Sequence, residues 1–245
     1  MGIIMQDYQI SFPEVSGLSQ GEEYFYATID GERQKIQLHD YQSIYQHPFL
    51  YEAVLCDVLK YGTPQEIIRA LEQVSENEKI PPQELNVLEI GAGSGVFGEH
   101  LANFGVGKLT GLDIEPLAKS AAFRDRPGLY DDYLVLDLTN LTPVQSEMLL
   151  GKHFNCVAVA AATGWGNHIP VAGFQSAFDH LMPNGLFVYH VKRDKNEKAL
   201  DCKFHDSCFH RQTIDSQDIY YDVIIGTKQS VYETNSFRTY AKLRN

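Results

Sequence analysis

Residues 87–98 read Val87-Leu88-Glu89-Ile90-Gly91-Ala92-Gly93-Ser94-Gly95-Val96-Phe97-Gly98. An apolar run ends in a glycine-dense turn, and a helix is expected to open near Val96. Glycines remove Cβ atoms where the chain must turn tightly and where a ligand can approach the backbone closely. A strand that ends in such a turn and feeds a helix begins a βαβ unit, and open α/β sheets bind their ligands at that carboxyl edge. A tight turn without a ligand is the plainer alternative, but three glycines in five residues argue against it.

The same alternation continues downstream. Short apolar runs at 87–90, 109–112, 133–138, 154–161 and 186–191 are separated by helix-length segments of mixed polarity. Right-handed crossovers then build a parallel sheet with helices on both faces. After Val191 the rhythm stops, and residues 208–227 read as two longer strands added in antiparallel fashion, with 237–243 as an alternative last strand. Upstream, residues 23–38 form a hairpin about Asp30-Gly31, with Phe25, Ala27 and Ile29 on one face. Residues 41–60 read as one or two helices. Thr63-Pro64-Gln65-Glu66 has the form of a capping box opening a helix with the stripe Ile67, Ile68, Leu71 and Val74, which dissolves in the polar run 75–79. With no repeat and no linker, one domain over 1–245 is expected: a hairpin and helical lid (1–82) and a core (83–245).

Two ligands compete for the glycine loop. Gly93, Gly95 and Gly98 fit the dinucleotide pattern G-x-G-x-x-G, which would make the protein an NAD-dependent oxidoreductase. Glu89 with Gly91, Gly93 and Gly95 fits acid-x-G-x-G-x-G instead. A carboxylate beside an anionic pyrophosphate is unfavourable, whereas S-adenosylmethionine (SAM) carries an ammonium and a sulfonium and suits an acid. Asp113 lies 22 residues past Gly91, at the end of the second strand, where an acid accepts hydrogen bonds from ribose hydroxyls. A helix N-cap is its other reading. Asp137, in Leu136-Asp137-Leu138, is placed at the end of the third strand within reach of an adenine amino group, or serves as a cap or turn residue.

These motifs resemble the class I SAM-dependent methyltransferases. Glu89-Ile90-Gly91-Ala92-Gly93-Ser94-Gly95 looks like the first motif, Gly111-Leu112-Asp113-Ile114 the second and Leu136-Asp137-Leu138 the third. Residues 154–161 are similar to the fourth strand, and Leu181-Met182-Pro183-Asn184-Gly185-Leu186 to the turn before the fifth. Arg124-Asp125-Arg126-Pro127-Gly128-Leu129-Tyr130-Asp131-Asp132-Tyr133 resembles one group of bacterial small-molecule methyltransferases. The resemblance implies a Rossmann-like, seven-stranded, mostly parallel sheet with one antiparallel strand near the C-terminus. It implies SAM as cofactor, held by Glu89, Gly91, Ala92, Gly93, Gly95, Asp113, Ile114, Asp137, Leu138 and Ala160. The function so implied is methyl transfer to a small-molecule acceptor; a SAM-binding protein without catalysis is the alternative of another class.

Methyl transfer from a sulfonium is an in-line displacement, so alignment and water exclusion are the protein's main tasks. The loop after the fourth strand carries Trp165, the only tryptophan, as a substrate contact or a packing lid, and His168 as the candidate base. In related enzymes a helix ahead of the glycine loop closes over SAM, so the resemblance places Tyr41, Tyr45 and Tyr51 at the cofactor, with Tyr45 as a substrate-side candidate; aromatic packing of an appended helix is the equal alternative. His190, inside the fifth strand, reads as a core residue.

The composition bounds what else the chain can do. A net charge of -12 over 245 residues repels phosphate backbones, and the densest basic stretch, Lys192-Arg193-Asp194-Lys195, is broken by an acid; no nucleic-acid partner is expected. Four cysteines are too few for a disulfide scaffold. Cys202, His205, Cys208 and His210 match no zinc spacing, so no metal is expected. With neither a basic-then-apolar leader nor a run long enough to span a bilayer, the expected address is the cytoplasm, without a membrane partner.

Overall fold

The computed structural model describes residues 8–160, 169–192 and 203–228. Seven strands form the main sheet: β4 (Asn86–Ile90), β5 (Lys108–Asp113), β6 (Asp132–Val135), β7 (Cys156–Val159), β8 (Leu186–Lys192), β9 (Phe204–Gln212) and β10 (Asp218–Thr227). Their order is β6-β5-β4-β7-β8-β10-β9. Strands β4 to β8 are parallel, and β10 runs antiparallel to both its neighbours. The chain steps outward from β4 to β6 and returns on the other side at β7. The carboxyl ends of β4 and β7 therefore flank the point where the strand order reverses, which opens a crevice.

Strand side chains alternate between two cores. Val87, Leu109, Cys156, Ala158, Leu186 and Val188 face one side, with Leu71 of α3 (Thr63–Glu78), Leu101 of α4 (Val96–Phe104) and Ala118 and Ala121 of α5 (Pro116–Asp125). Leu88, Ile90, Leu112, Val157, Val159 and Phe187 face the other, with Leu149 of α6 (Pro143–Gly151) and Ala177 of α7 (Val171–Asp179). Central strands buried on both faces explain why their sequences read as unbroken apolar runs.

A second sheet of three antiparallel strands, β1 (Gln9–Ser11), β2 (Tyr24–Ile29) and β3 (Glu32–Gln37), precedes the main one. Asp30 and Gly31 both have positive φ, the two-residue turn that matches strand twist. Phe25, Ala27 and Ile29 are buried in the same core as β4 and β8. A buried ion pair fastens this sheet to β9: Arg211 bonds Glu23, whose Oε1 also accepts the Ile214 N–H at 3.0 Å. Removing one partner of such a pair costs about 3–5 kcal/mol, because the other charge is left buried.

Several local expectations fail for identifiable reasons. The 63–66 capping box does not form; Gly62 is the N-cap of α3 and caps with no side chain. The Thr63 hydroxyl is instead engaged 2.7 Å from His210 Nδ1. Helix α3 also runs through the polar stretch to Glu78, ending where Lys79 turns left-handed. Residues 41–60 divide into α1 (Tyr41–Tyr45), α2 (Leu50–Glu52) and a π-helical turn (Ala53–Val58). Strand β6 stops at Val135, so Asp137 lies beyond the strand end. Strand β1 carries too little alternation to be read. The closing hairpin is β9 and β10, and 237–243 lies outside the described residues. Among the described residues, no helix is long and apolar enough to cross a membrane.

At the β8–β10–β9 junction His190, His210 and Tyr221 stack, with His210 and Tyr221 centroids 4.2 Å apart. Burial pulls the His190 imidazole down to about 4. His210 is held well below its usual range, by burial first and then by the neighbouring His190, Arg211 and His39. An imidazole at its ordinary 6.5 in the unfolded chain takes up protons that the folded one refuses. The stability contribution is therefore complete above that value and lost as pH falls toward about 4. Urea unfolding should show stability falling between about pH 7 and about pH 5, with about 2 kcal/mol of the loss from His190, and His190→Phe should remove that share of the slope. An unchanged slope in that variant would refute a neutral buried His190.

Candidate functional site

A cavity of about 480 Å³ opens at the carboxyl ends of β4, β5 and β7. Its floor is Glu89 and the glycine loop, its walls are Asp113-Ile114-Glu115, residues 136–139 and Ala160, and Tyr41, Tyr45, Tyr51 and Tyr61 line it from the N-terminal segment. The sequence-predicted residues Glu89, Gly91, Ala92, Gly93, Asp113, Ile114, Asp137, Leu138, Ala160 and Tyr45 thus meet in one space. Gly95 stands behind the loop as the N-cap of α4, packed against Leu129 and Arg126. Trp165 and His168 lie outside the described residues.

The loop is shaped by backbone bonds to β5. Leu112 O accepts from the N–H groups of Gly91 (2.8 Å) and Ala92 (3.1 Å). Gly93, at φ +55°, is then held on both polar atoms: its N–H donates to Asp113 Oδ2 at 2.9 Å, and its carbonyl accepts from the Tyr133 hydroxyl at 2.8 Å. Any side chain at Gly93 would collide with the Tyr45 hydroxyl. Asp113 Oδ1 accepts the Glu115 N–H at 3.0 Å, so each oxygen of Asp113 keeps a lone pair for a further donor. The N-cap of α5 is Glu115, not Asp113. Burial raises the Asp113 carboxyl above its usual range, against the hydrogen bonds that lower it.

Glu89 is 1% exposed. Its Oε2 accepts the Tyr130 hydroxyl at 2.8 Å. Burial pushes its carboxyl up to about 8, with the Tyr130 bond opposing and the charge of Asp113 adding to the rise. A Cβ on Gly98 would strike the Tyr130 hydroxyl and stand 2.7 Å from Glu89 Oε2. The bareness of Gly98, the third glycine of the dinucleotide pattern, thus follows from packing of α4 on this acid–tyrosine pair.

Asp137 differs from its expected setting. Its Oδ1 accepts both the N–H (2.8 Å) and the hydroxyl (2.6 Å) of Thr139, so it fixes the turn after β6, and these bonds hold its carboxyl below the usual range. It still lines the cavity, beside Leu138. Ile114 is 66% exposed at the cavity rim, an apolar side chain with a free face. Sequence reading missed Tyr61, Tyr130 and Tyr133 as site residues. The 124–133 stretch held the signal for two of them, but periodicity could not say that their hydroxyls reach back to Glu89 of β4 and to Gly93 of the loop. Of the suspected ligand cluster, His205 bonds Asp222 at 2.9 Å and His210 bonds Thr63; Cys202 lies outside the described residues.

The charge around the cavity is one-sided. Asp40, Asp113, Glu115 and Asp137 line it together with Glu89, which ionises only as pH climbs through about 8, and no described residue lining it is a lysine or arginine. At an intermediate dielectric, two like charges about 4 Å apart repel by about 4 kcal/mol. A pyrophosphate would meet that repulsion more than once, whereas a cation would be drawn in.

The profile of a family described as "Methyltransferase domain" matches residues 60–245. No curated protein gives a significant match. Among solved structures, the N-methyltransferase NodS from Bradyrhizobium japonicum in complex with S-adenosyl-L-homocysteine shares the fold, with 16% identity, a TM-score of 0.51, and coverage of 77% of this chain and 97% of that one. A Pyrococcus horikoshii protein assigned as an RNA methyltransferase also shares it, with 13% identity, a TM-score of 0.51, and coverage of 69% and 88%. A strand-end cavity that is acidic, glycine-floored and free of described cations is what a cationic methyl donor requires, and the chain belongs to the class I SAM-dependent methyltransferases.

Proposed function

We propose that the protein methylates a small-molecule acceptor, and that the cavity over the glycine loop holds SAM. The supporting observation is the set of five acidic side chains with no described lysine or arginine among the lining residues. Asp113 takes the ribose hydroxyls on its remaining lone pairs. Ile114 and Leu138 sandwich the adenine, with Asp137 beside its amino group. Glu89 and the Gly91–Gly93 backbone face the methionine part, with Ala92 against it, and Gly95 starts the helix behind. Tyr45 closes over Gly93 and so serves the cofactor more than the acceptor.

Bound SAM supplies a methyl group on a positively charged sulfur. The residues here align it and keep water out, beneath tyrosines 41, 45, 51 and 61. Ala160 follows β7 on the side where the acceptor enters, just before the segment that carries Trp165 and His168. His168 acts as base only if the acceptor must lose a proton. A small acceptor fits this tyrosine-lined cavity better than a phosphate backbone does, and the acidic lining opposes a polyanion.

Equilibrium binding should show SAM bound and NAD not bound, and labelled SAM with a metabolite extract should give a methylated product. SAM binding without any turnover would leave a non-catalytic SAM-binding protein. Asp113→Ala should weaken SAM by roughly 1.5–3 kcal/mol, as for a hydrogen bond to a charged group. Because the two Asp113 oxygens also accept the Gly93 and Glu115 N–H groups, Asp113→Asn keeps only one of those bonds and turns its NH2 toward the other amide, so it too should weaken SAM. Unchanged affinity in folded variants would rule out the ribose role.

Glu89 adds a pH dependence of definite sign. With its carboxyl at about 8, the ionised form that attracts a cation grows as pH rises through that value, and SAM affinity should rise with it. The same raised value makes Glu89 favour the folded state below its ordinary 4.5 and lose that contribution as pH climbs through about 8. Glu89→Gln should flatten both profiles. A SAM affinity profile identical in wild type and variant would contradict this role.

A further inference from the structure

Three consecutive residues at the carboxyl end of α5 grip three parts of the 41–58 segment, the roof of the cavity. Helix α1 has five residues, too few to be stable alone, and the carbonyls at its end lack intrahelical partners. Arg124 supplies them: Nη1 donates to Tyr45 O (3.0 Å) and Gln46 O (3.3 Å), and Nη2 to His47 O (3.2 Å). Asp125, buried, accepts the N–H of Phe49 at 3.3 Å. Phe49 sits at φ +55°, a conformation that a non-glycine residue keeps only where its surroundings impose it. Arg126 pairs with Glu52 of α2 and donates to Ser94 O of the glycine loop at 3.1 Å, while Nε reaches Glu99 at 2.9 Å. Glu52 Oε1 in turn receives the Ser94 hydroxyl at 3.2 Å.

The Arg126 and Glu52 side chains are 12% and 13% exposed, so solvent screens their pairing little. None of Arg124, Asp125, Arg126 or Glu52 lines the cavity; they reach it only through Tyr45 and Ser94, which do. We propose that Arg124, Asp125 and Arg126 are positioning residues that clamp the 41–58 roof onto the glycine loop and thereby set the residence time of the bound cofactor and its product. This rests on the cavity being the SAM site.

The test is the dissociation rate of SAM from the full-length protein, with the Michaelis constant for SAM and the turnover number measured separately. Arg126→Gln and Glu52→Gln should each speed release by roughly ten- to a hundredfold, as expected for a lost hydrogen bond to a charged group. The double variant should be less severe than the sum of the two single ones, because both break the shared Arg126–Glu52 pair. Arg126→Lys should fall between, keeping the charge and losing the fork. Hydrogen exchange of the free protein supplies a readout that needs no ligand: amides of 41–58 should exchange faster in Arg126→Gln while those of β4, β7 and β8 keep their protection. Unchanged release in folded variants overturns the proposal, and so does loss of protection throughout the sheet. Should the wild type bind no SAM, the functional reading falls and the exchange pattern alone decides the clamp.

Discussion

The peptide unit of Gly93 is the constraint on which the site depends. Its N–H is spent on Asp113 and its carbonyl on Tyr133, so the loop after β4 is fixed by the last residue of β5 and a residue of β6. This requires the three strands side by side in the order β6-β5-β4 and in their observed register, Ile90 beside Leu112 and Asp113 beside Val135. Gly111 shares in it: a Cβ there would stand 2.8 Å from the Tyr133 ring and 3.0 Å from that of Tyr130. The rings of both tyrosines, edge to face at 5.1 Å, fill the space the missing side chain leaves. Fold and ligand geometry are here one set of contacts.

That construction leaves a buried carboxyl group, Glu89, and a half-buried one, Asp113, facing one cavity, each raised by desolvation, with the charge of Asp113 raising Glu89 further. Hydrogen-bond donors, the Tyr130 hydroxyl and the Gly93 and Glu115 amides, moderate this without supplying a formal positive charge. An incoming cation supplies it. On the proposed SAM assignment of this cavity, the sign of the lining favours a sulfonium cofactor over a dinucleotide.

The sheet was legible because buried parallel strands leave continuous apolar runs, and the loop because positive φ and close approach leave glycines. Asp113 was legible from its distance behind Gly91. Asp137 takes the turn role that was one of its two readings, two residues past the strand end, since the apolar run 133–138 does not show that pairing stops at Val135. Thr63 was misread because a capping signature is local, while the partner that took its hydroxyl, His210, lies 147 residues away. Residues 41–60, read as one or two helices, hold two short ones, but periodicity left no sign of the π-helical turn that follows them. Tyr130 and Tyr133 were quoted only for a resemblance. Their part as loop supports is a tertiary fact that the period of the chain does not encode.

Glu23 and Arg211 are joined across 188 residues of sequence, and the N-terminal hairpin sheet rests on that bond as well as on the common core. On the ribosome, the hairpin emerges long before its counter-ion exists. Until β9 has been synthesised, Glu23 has no guanidinium to satisfy it, and Phe25, Ala27 and Ile29 must find temporary cover. The central βαβ units can close while the chain is still growing, and with them the α5 residues that hold the 41–58 segment, but the N-terminal hairpin sheet is fastened among the last. A chain interrupted before Arg211 would carry the glycine loop, its acids and its roof with that sheet unfastened.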